Sequence, residues 1–201
     1  MRKCGDCQLC CKLVPVEEGH SLLDPTTGKR TPVTGLHKPA GERCPHQRHH
    51  KGCAIYARRP RACATWNCRW LVNNDTADMQ RPDRAHYVID ILPDYVTLLD
   101  NDTGATRDVQ VVQIWLDPDY PDAHRDPALR AYLERRAAEG IIGLVRLDNK
   151  RAFPLVAPSI THNGEWYEGP LADHGRPQHT AADIANALGD IELHFEATDG
   201  N

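Results

Sequence analysis

All cysteines of this 201-residue chain lie between positions 4 and 68, and this clustering constrains the fold more than any other feature of the sequence. The eight residues are Cys4, Cys7, Cys10, Cys11, Cys44, Cys53, Cys63 and Cys68. Two local structures would direct the first four sulfurs towards one point. A helix over residues 4–11 would carry them on one face, and a CxxC turn has the spacing of a zinc knuckle.

Metal binding, disulfide or redox chemistry, and inert burial are three explanations for such a run of thiols. No apolar segment of a secretory signal follows Met1-Arg2-Lys3, so we expect a cytoplasmic protein. Structural disulfides are rare in that compartment, and inert core cysteines occur singly. We therefore predict that the thiols hold a metal, and all eight cysteines are candidate ligands.

The net charge of −4 is unevenly distributed along the chain. Residues 1–72 contain 13 Lys and Arg against 5 Asp and Glu, a net charge of +8, whereas the remaining residues contain 11 against 23 and carry −12. The basic residues close to cysteines in the sequence are Arg2, Lys3, Lys12, Arg43, Lys51, Arg58, Arg59, Arg61 and Arg69. They would either form a nucleic-acid-binding surface or neutralise a thiolate-bound metal and lower the thiol pKa values. We favour neutralisation, because few aromatic residues lie among them before Trp66.

Residues 1–75 are predicted to be a cysteine-rich metal-binding region. Residues 12–43 are predicted to be an irregular segment, because Pro and Gly recur along it. A short strand is expected at 13–16. A helix is predicted from Pro60 to about Val72. Because Cys63 and Cys68 would not share a face of a regular helix, either only Cys63 is a direct ligand or the helix ends early. Residues 73–84 are polar and lack periodicity, so we interpret them as a linker.

Residues 76–201 are predicted to form an α+β region, with a mostly antiparallel sheet and two helices, that packs as one compact unit with the first region. The predicted strands, rich in β-branched or aromatic residues, are residues 87–92, 95–99, 109–115, 141–147 and 152–156, the third with a short helix as the alternative. Asp126 and Pro127 begin a helix that ends at Gly140. Its apolar stripe is Leu129, Tyr132, Leu133 and Ala137. A last helix is expected at about 181–188.

The cysteine pattern resembles that of the CxxCxxCC family. The residues that carry the resemblance are the run Cys4-Cys7-Cys10-Cys11, then Cys44-Pro45, then Cys53-Ala54-Ile55-Tyr56, and Arg59-Pro60 with Cys63. They span about residues 1–70, and Cys68 is extra relative to the family pattern. Members are described as zinc- or iron-chelating proteins, and the wider group includes flagellin lysine N-methylases. The resemblance implies metal chelation without specifying a reaction.

Zinc and iron are the two metals that this ligand set would suit. Zinc takes four tetrahedral ligands, so the cysteines would fill two closed sites, or one site with spare thiols. A 4Fe-4S cluster would instead use Cys4, Cys7 and Cys10 together with Cys44, which precedes a proline as in ferredoxin-type motifs. We favour zinc, because closed structural zinc sites are commoner.

Three histidines lie between Cys44 and Cys53: His46, His49 and His50. Any of them would be able to replace a thiolate as a metal ligand. A solvated basic loop is the interpretation that we favour for His49 and His50.

Three functions remain open from the sequence. The first is a metal-binding protein whose thiolate-rich site has a structural or metal-handling role. The second is an iron–sulfur enzyme related to the protein lysine N-methylases, and the third is a zinc-stabilised adaptor for nucleic acid or protein. We favour the first. Besides the metal ion, we expect a protein partner rather than nucleic acid. No membrane partner is expected, because no apolar run reaches the length of a membrane span.

Overall fold

The computed structural model describes residues 2–16, 22–23, 30–31, 36, 38–48, 51–91, 94–99, 103–148, 150–169 and 171–173. The predicted helix at 181–188 lies outside these residues, as do His49 and His50. The described part of the chain combines short helices with antiparallel strands, so the predicted α+β class is confirmed. No helix in that part is long and apolar enough to cross a membrane.

The chain divides into two compact units. The first unit comprises Met1–Ile91, Trp115–Ala123 and Leu147–Asn149, and the second comprises Leu92–Ile114, His124–Arg146 and Lys150–Asn201. All eight cysteines therefore belong to the first unit. The expectation that residues 1–75 and 76–201 pack together as one compact body stays a prediction.

Short elements make up the first unit. Its helices are α1 (Leu9–Leu13), α2 (Arg61–Thr65), α3 (Arg69–Val72) and α4 (Pro82–Ala85). Its strands are β1 (Leu22–Leu23), β2 (Arg30–Thr31), β3 (Gln47–Arg48), β4 (Gly52–Cys53) and β5 (Tyr87–Ile89). β1 pairs with β2, and β3 with β4, both in antiparallel fashion. Helices α1, α3 and α4 all contact β5, whose three residues are buried.

The apolar core of the first unit includes two of the cysteines. Its buried members are Cys7, Leu9, Leu13, Ala40, Cys68, Val88 and Trp115. Cys10, Val14, Trp66, Trp70 and Leu71 are partly buried and pack against them. The core thus draws on residues from both ends of the cysteine-rich segment, and it brings Cys68 close to the N-terminal cysteines.

The second unit is built on an antiparallel sheet. Its elements are β6 (Asp94–Leu99), β7 (Thr106–Leu116, whose last two residues belong to the first unit), α5 (Pro127–Ala137), β8 (Ile142–Arg146), β9 (Arg151–Val156), β10 (Tyr167–Glu168) and β11 (Ala172–Asp173). The strand order is β10-β9-β8-β7, with β11 also on β9 and β6 also on β7. The antiparallel pairs include β6–β7, β8–β9, β9–β10 and β9–β11. The four predicted strands from residue 95 onwards are thereby confirmed, and residues 109–115 form a strand rather than a helix. The strand predicted at 87–92 is the shorter β5 of the first unit.

Helix α5 begins and ends as the sequence predicts. The Asp126 carboxylate caps it by accepting a hydrogen bond from the amide of Ala128 at 2.9 Å. The predicted apolar stripe is buried and packs towards β8. Gly143 of β8 permits this close approach, because a Cβ atom there would lie 3.1 Å from Cδ1 of Leu133. Gly140 then leaves the helix with a φ of +73°.

Both alternatives for residues 4–11 occur in part, and one prediction for the N-terminal segment needs correction. The helix begins only at Leu9, because Gly5 has a left-handed φ of +58° and the amide of Cys7 closes a turn on the carbonyl oxygen of Cys4 at 3.0 Å. The strand expected at 13–16 is absent from these described residues, since Leu13 ends α1 and Val16 forms only an isolated bridge with Lys38.

The region from residue 60 to residue 84 also differs from the prediction. Residues 60–72 form two short helices, α2 and α3, rather than one, because the backbone is extended at Trp66 and Cys68. The segment interpreted as a linker is ordered: Thr76 is fully buried in a 3-10 turn, and α4 follows it. The polar composition of this segment led to its interpretation as a linker.

Candidate metal centre

The N-terminal cysteines are placed by two successive local structures. The turn at Gly5 positions Cys4 and Cys7, and helix α1 then positions Cys10 and Cys11. Hence the turn and the helix, which the sequence offered as alternatives, each account for two of the four thiols.

Hydrogen bonds tie the second cysteine segment to α1. The amide of Cys44 donates to the carbonyl oxygen of Cys11 at 3.1 Å. Cys53 lies opposite Gln47 in the β3–β4 hairpin. The side-chain amide nitrogen of Gln47 donates to Oε1 of Gln8 at 2.8 Å, just before α1 begins. These bonds bring Cys44 and Cys53 to the region of Cys11.

The extended break between α2 and α3 separates the last two cysteines. Cys63 lies within α2, whereas Cys68 precedes α3 as its N-terminal cap residue. Inside the break, the indole nitrogen of Trp66 donates to Oδ1 of Asp90 at 3.0 Å, and the indole nitrogen of Trp115 lies 3.4 Å from Oδ2. Because Asp90 is buried, it anchors the break from the interior of the unit.

None of the eight cysteines forms a disulfide, and four of them form two hydrogen-bonded thiol pairs. The hydrogen bond from Cys7 lowers the pKa of Cys4 to about 7 against the effect of burial, while the same bond and burial raise the pKa of Cys7. The bond from Cys10 likewise lowers the pKa of Cys11 to about 7, and the pKa of Cys10 is raised. Each pair can therefore lose one proton near neutral pH, as metal binding requires.

Cys4, Cys7, Cys10 and Cys68 constitute what we name the first thiol group. The pKa of Cys10 is raised by its hydrogen bond to Cys11 and by burial, and also by the negative charges of Cys4 and Cys7. Burial raises the pKa of Cys68, and the charge of Cys4 adds to this effect. Cys7 and Cys68 share the apolar core of the unit, and Cys10 packs against it.

Cys11, Cys44, Cys53 and Cys63 constitute the second thiol group. Burial raises the pKa of Cys63, and the charges of Cys11, Cys44 and Cys53 raise it further. The four thiols come from α1, the loop before β3, strand β4 and helix α2. The charges that act on Cys63 thus come from thiols on three other segments of the chain.

Lys38 is a buried cation beside both thiol groups, and the sequence did not single it out. Its side chain has only 3% of its surface exposed. Its ammonium group donates to the carbonyl oxygens of Lys12, Pro39 and Glu42, at 3.0, 2.9 and 3.0 Å. Burial lowers the pKa of Lys38, and the negative charges of nearby thiols oppose that shift. Those thiols are Cys44, Cys11 and Cys10.

Two of the cations predicted to neutralise the metal site have carboxylate partners instead. The ammonium group of Lys12 lies 2.5 Å from both Asp117 and Asp119. Arg69 pairs with Asp75 at 3.2 Å. Their charges are already balanced by carboxylates, so proximity in the sequence was an unreliable guide to which cations face the thiols.

Two arginines do act on the thiols. The charge of Arg81 contributes to the lowered pKa of Cys4, and the charge of Arg59 opposes the raised pKa of Cys63. Arg81, which the sequence did not single out, is held in place by Asp6 at 2.7 Å and by Asp83 at 2.6 Å. Arg81 reaches Cys4 only through tertiary contacts, whereas Lys38 lies six positions before Cys44 in the sequence.

The donor set fits a thiophilic metal, since eight free thiols in one unit suit zinc or iron better than the hard cations that prefer oxygen. As the side chains stand, no group of three or more His, Cys, Asp or Glu among the described residues is arranged to hold an ion. His46 is half-buried, and its carbonyl oxygen accepts a hydrogen bond from Ala54 at 2.8 Å. The roles of the eight cysteines and of His46 as ligands stay predictions.

Comparison with known proteins supports this chemistry. Residues 3–83 match the model of the CxxCxxCC family, described as "Putative zinc- or iron-chelating domain". No curated protein and no solved structure matches the chain. The matched segment contains all eight cysteines, Lys38 and Arg81. The similarity to the CxxCxxCC family thus covers the part of the chain that holds the thiols, residues 3–83.

Proposed function

We propose that residues 3–83 bind two zinc ions, each through four thiolates. The first thiol group would hold one ion, and the second thiol group the other. The observation that carries the proposal is the second thiol group, in which four segments of the chain bring one cysteine each to a common neighbourhood. Inert thiols have no reason to converge in this way, whereas a tetrahedral ion requires four ligands around it.

The charge around the thiols supports the proposal. A divalent ion with four thiolates carries a net charge of −2, which is costly to bury without a cation nearby. Lys38 supplies such a cation, since carbonyl oxygens are its only hydrogen-bond partners among the described residues. An ammonium group buried without a carboxylate partner is itself unfavourable. A negatively charged metal site beside Lys38 would stabilise the buried ammonium group, and the ammonium group would in turn stabilise the buried site.

The grouping of Cys44 favours zinc over the ferredoxin-type arrangement. That arrangement joins Cys44 to Cys4, Cys7 and Cys10. In the structure, Cys44 is bonded through its amide to the backbone of Cys11, and its charge acts on Cys63. Two four-thiolate zinc sites use all eight cysteines and leave none without a role.

A structural role follows from the size of the elements. Helices α1 to α4 have four or five residues each, far fewer than an isolated helix needs in water. Bonds from a metal to distant segments would cross-link these elements, and the free energy of binding would then contribute to folding. We therefore propose zinc as the structural cross-link of the first unit.

X-ray absorption spectroscopy of the purified protein tests the ligand assignment. At the zinc edge, we expect a first shell of four sulfurs at about 2.3 Å and no nitrogen or oxygen. A first shell that contains nitrogen would bring His46, His49 or His50 into the site and contradict the all-thiolate assignment. Iron in place of zinc, with iron–iron scattering, would replace the proposal by a cluster.

A further inference from the structure

A long stretch of the first unit lacks acidic residues altogether. Residues 43–74 contain no Asp or Glu, but they contain seven Lys and Arg. The charge of this stretch must therefore be balanced by residues elsewhere, by the metal sites or by a partner. The surroundings of each cation in the structure distinguish these cases.

Three of these cations are exposed and close together along the chain. Arg48 lies opposite Gly52 in the β3–β4 hairpin, and Lys51 lies in its turn, where its amide donates to the carbonyl oxygen of Arg48 at 2.9 Å. Arg58 ends the 3-10 turn that follows β4. Their side chains are all exposed. None of the three has an acidic residue within ion-pair distance among the described residues.

The metal sites do not account for these three charges. The cations whose charges act on the thiols are Lys38, Arg59 and Arg81. Lys38 is buried, and Arg59 and Arg81 are half-buried, as neutralisation of a buried site requires. Exposed cations contribute little to a buried charge because water screens them. The exposed cations therefore face solvent, where a partner would be able to reach them.

An exposed aromatic residue shares the 3-10 turn of Arg58 and follows the β3–β4 hairpin in the chain. Tyr56 has 66% of its surface exposed, the highest value among the large apolar side chains of the described residues. The guanidinium group of Arg59 lies over its ring, 3.9 Å from the ring centre. This cation–π contact restrains the ring and covers one of its faces. The exposure of Tyr56 indicates that the rest of the ring is accessible to a planar ligand.

We propose that Arg48, Lys51, Arg58 and Tyr56, which we name the basic hairpin, bind single-stranded nucleic acid. The three cations would contact phosphates, and a base would stack on the ring of Tyr56. Phosphate contacts supply affinity without sequence specificity, and base–aromatic stacking is the usual second component of single-strand binding. An exposed ring favours single strands over a duplex, whose bases are already stacked.

Fluorescence anisotropy with a labelled single-stranded oligonucleotide of mixed sequence tests the proposal. We expect binding by the zinc-loaded full chain that weakens steeply with salt. The triple variant Arg48→Ala, Lys51→Ala, Arg58→Ala should make the plot of log binding constant against log salt concentration less steep. Its negative slope should shrink in magnitude by about 2, since each single-strand phosphate contact contributes about 0.7. Tyr56→Ala should weaken binding roughly 5- to 100-fold, and Tyr56→Phe should preserve it.

A matched control separates this surface from general electrostatics. The triple variant Arg107→Ala, Arg135→Ala, Arg151→Ala removes three exposed charges from the second unit and should leave the slope unchanged. Zinc content, measured for every variant, distinguishes loss of the basic hairpin from loss of the metal sites. Absence of salt-dependent binding by the wild type would overturn the proposal. So would an equal loss in the control variant, or tighter binding of a duplex together with an unaffected Tyr56→Ala.

Discussion

Lys38 shows how a single residue can report on a ligand. Its ammonium group is buried and donates to three carbonyl oxygens, so its charge has no carboxylate counterpart among its described hydrogen-bond partners. The negative charges that act on it are those of the Cys44, Cys11 and Cys10 thiols and, after them, of the Glu42 carboxylate. Its burial is best explained by a metal–thiolate site whose net charge is negative.

Replacement of Lys38 by Met tests this explanation. We expect Lys38→Met to lower the zinc affinity about tenfold or more, because the negative site would lose its nearest cation. Competition with a chromophoric chelator measures the affinity. Lys150→Met, which removes an exposed charge in the second unit, serves as control and should bind zinc as the wild type does. Equal affinities in all three proteins would show that Lys38 has no such role.

At the residue scale, the sequence was informative about thiols and only partly so about cations, of which it selected Arg59 correctly. The clustering of eight cysteines predicted a metal-binding segment, and the family match over residues 3–83 supports metal binding in general. The nine cations selected by proximity included Lys12, which pairs with Asp117 more than a hundred positions away. Such long-range pairing leaves no local signal.

The break between α2 and α3 is the element on which the separation of the two thiol groups depends. A regular helix from residue 60 to residue 72 would carry Cys63 and Cys68 on different faces of one rod. The break instead lets Cys68 enter the core with Cys7. Asp90 holds the break through its hydrogen bond with Trp66.

Asp90→Asn tests the contribution of this anchor. A carboxylate can accept from Trp66 and Trp115 at once, whereas an amide would direct its NH₂ group at one of the two indole donors. We expect a loss of about 1–3 kcal/mol in the free energy of unfolding, since a buried donor would be left unsatisfied. Urea unfolding followed by tryptophan fluorescence measures it. The exposed Asp78→Asn should change stability by less than about 0.5 kcal/mol, and an equally small change for Asp90→Asn would contradict the role.

The second unit has its own electrostatic anchor at the junction of α5 and β10. Oε2 of Glu168 lies 3.2 Å from His124 and 3.1 Å from Arg125, and Oε1 lies 2.6 Å from Arg130. The hydrogen bond from Arg125 is the main cause that lowers the pKa of Glu168 from 4.5 to about 2. The charged carboxylate is therefore the form that the fold stabilises.

The pH dependence of stability follows from this lowered pKa. The contribution of Glu168 to the free energy of unfolding is fully present above its unfolded pKa of about 4.5. This contribution is lost as the pH falls towards about 2. At pH 6 we expect Glu168→Gln to be less stable than the wild type by roughly 1 kcal/mol, a value reduced for partial exposure of the carboxylate. Urea midpoints at pH 6 and pH 3 should show this difference narrowing. A difference that stays constant would mean that the ion pairs do not stabilise the unit.

How well the sequence predicted an element depended on what defines that element. Helix α5 was predicted correctly at both ends, because its cap Asp126, its apolar stripe and Gly140 are all local signals. The prediction of one helix over residues 60–72 was wrong because the backbone is extended at Trp66 and Cys68, where Trp66 bonds to Asp90, 24 positions along the chain. The interpretation of residues 73–84 as a linker was wrong because Thr76 is a polar residue that is nonetheless buried.

On the scale of the whole molecule, the two units differ in what stabilises them. The second unit has an antiparallel sheet, which includes the six-residue strands β6 and β9, and an 11-residue helix, elements of ordinary length for a folded domain. The first unit has only short helices and strands in its described residues. We therefore expect the first unit to depend on metal and the second unit to be independent of it.

Hydrogen exchange with and without a zinc chelator tests this difference. Chelation should abolish the protection of amides in α1, α3 and β5, because folding and metal binding are coupled in small metal domains. Protection in α5, β8 and β9 should stay unchanged, which makes the second unit an internal control. Retained protection in the first unit after complete zinc removal would contradict a structural role for the metal.

The most direct test of the central claim is the number of zinc ions per chain. We expect anaerobically purified protein to be colourless and to contain two zinc ions, by metal analysis combined with native mass spectrometry. Cys68→Ser should lose the ion of the first thiol group and Cys53→Ser that of the second, so each variant should retain one. A brown protein with visible iron–sulfur absorbance, or a wild-type protein that contains no metal, would contradict the claim that these eight thiols form two zinc sites.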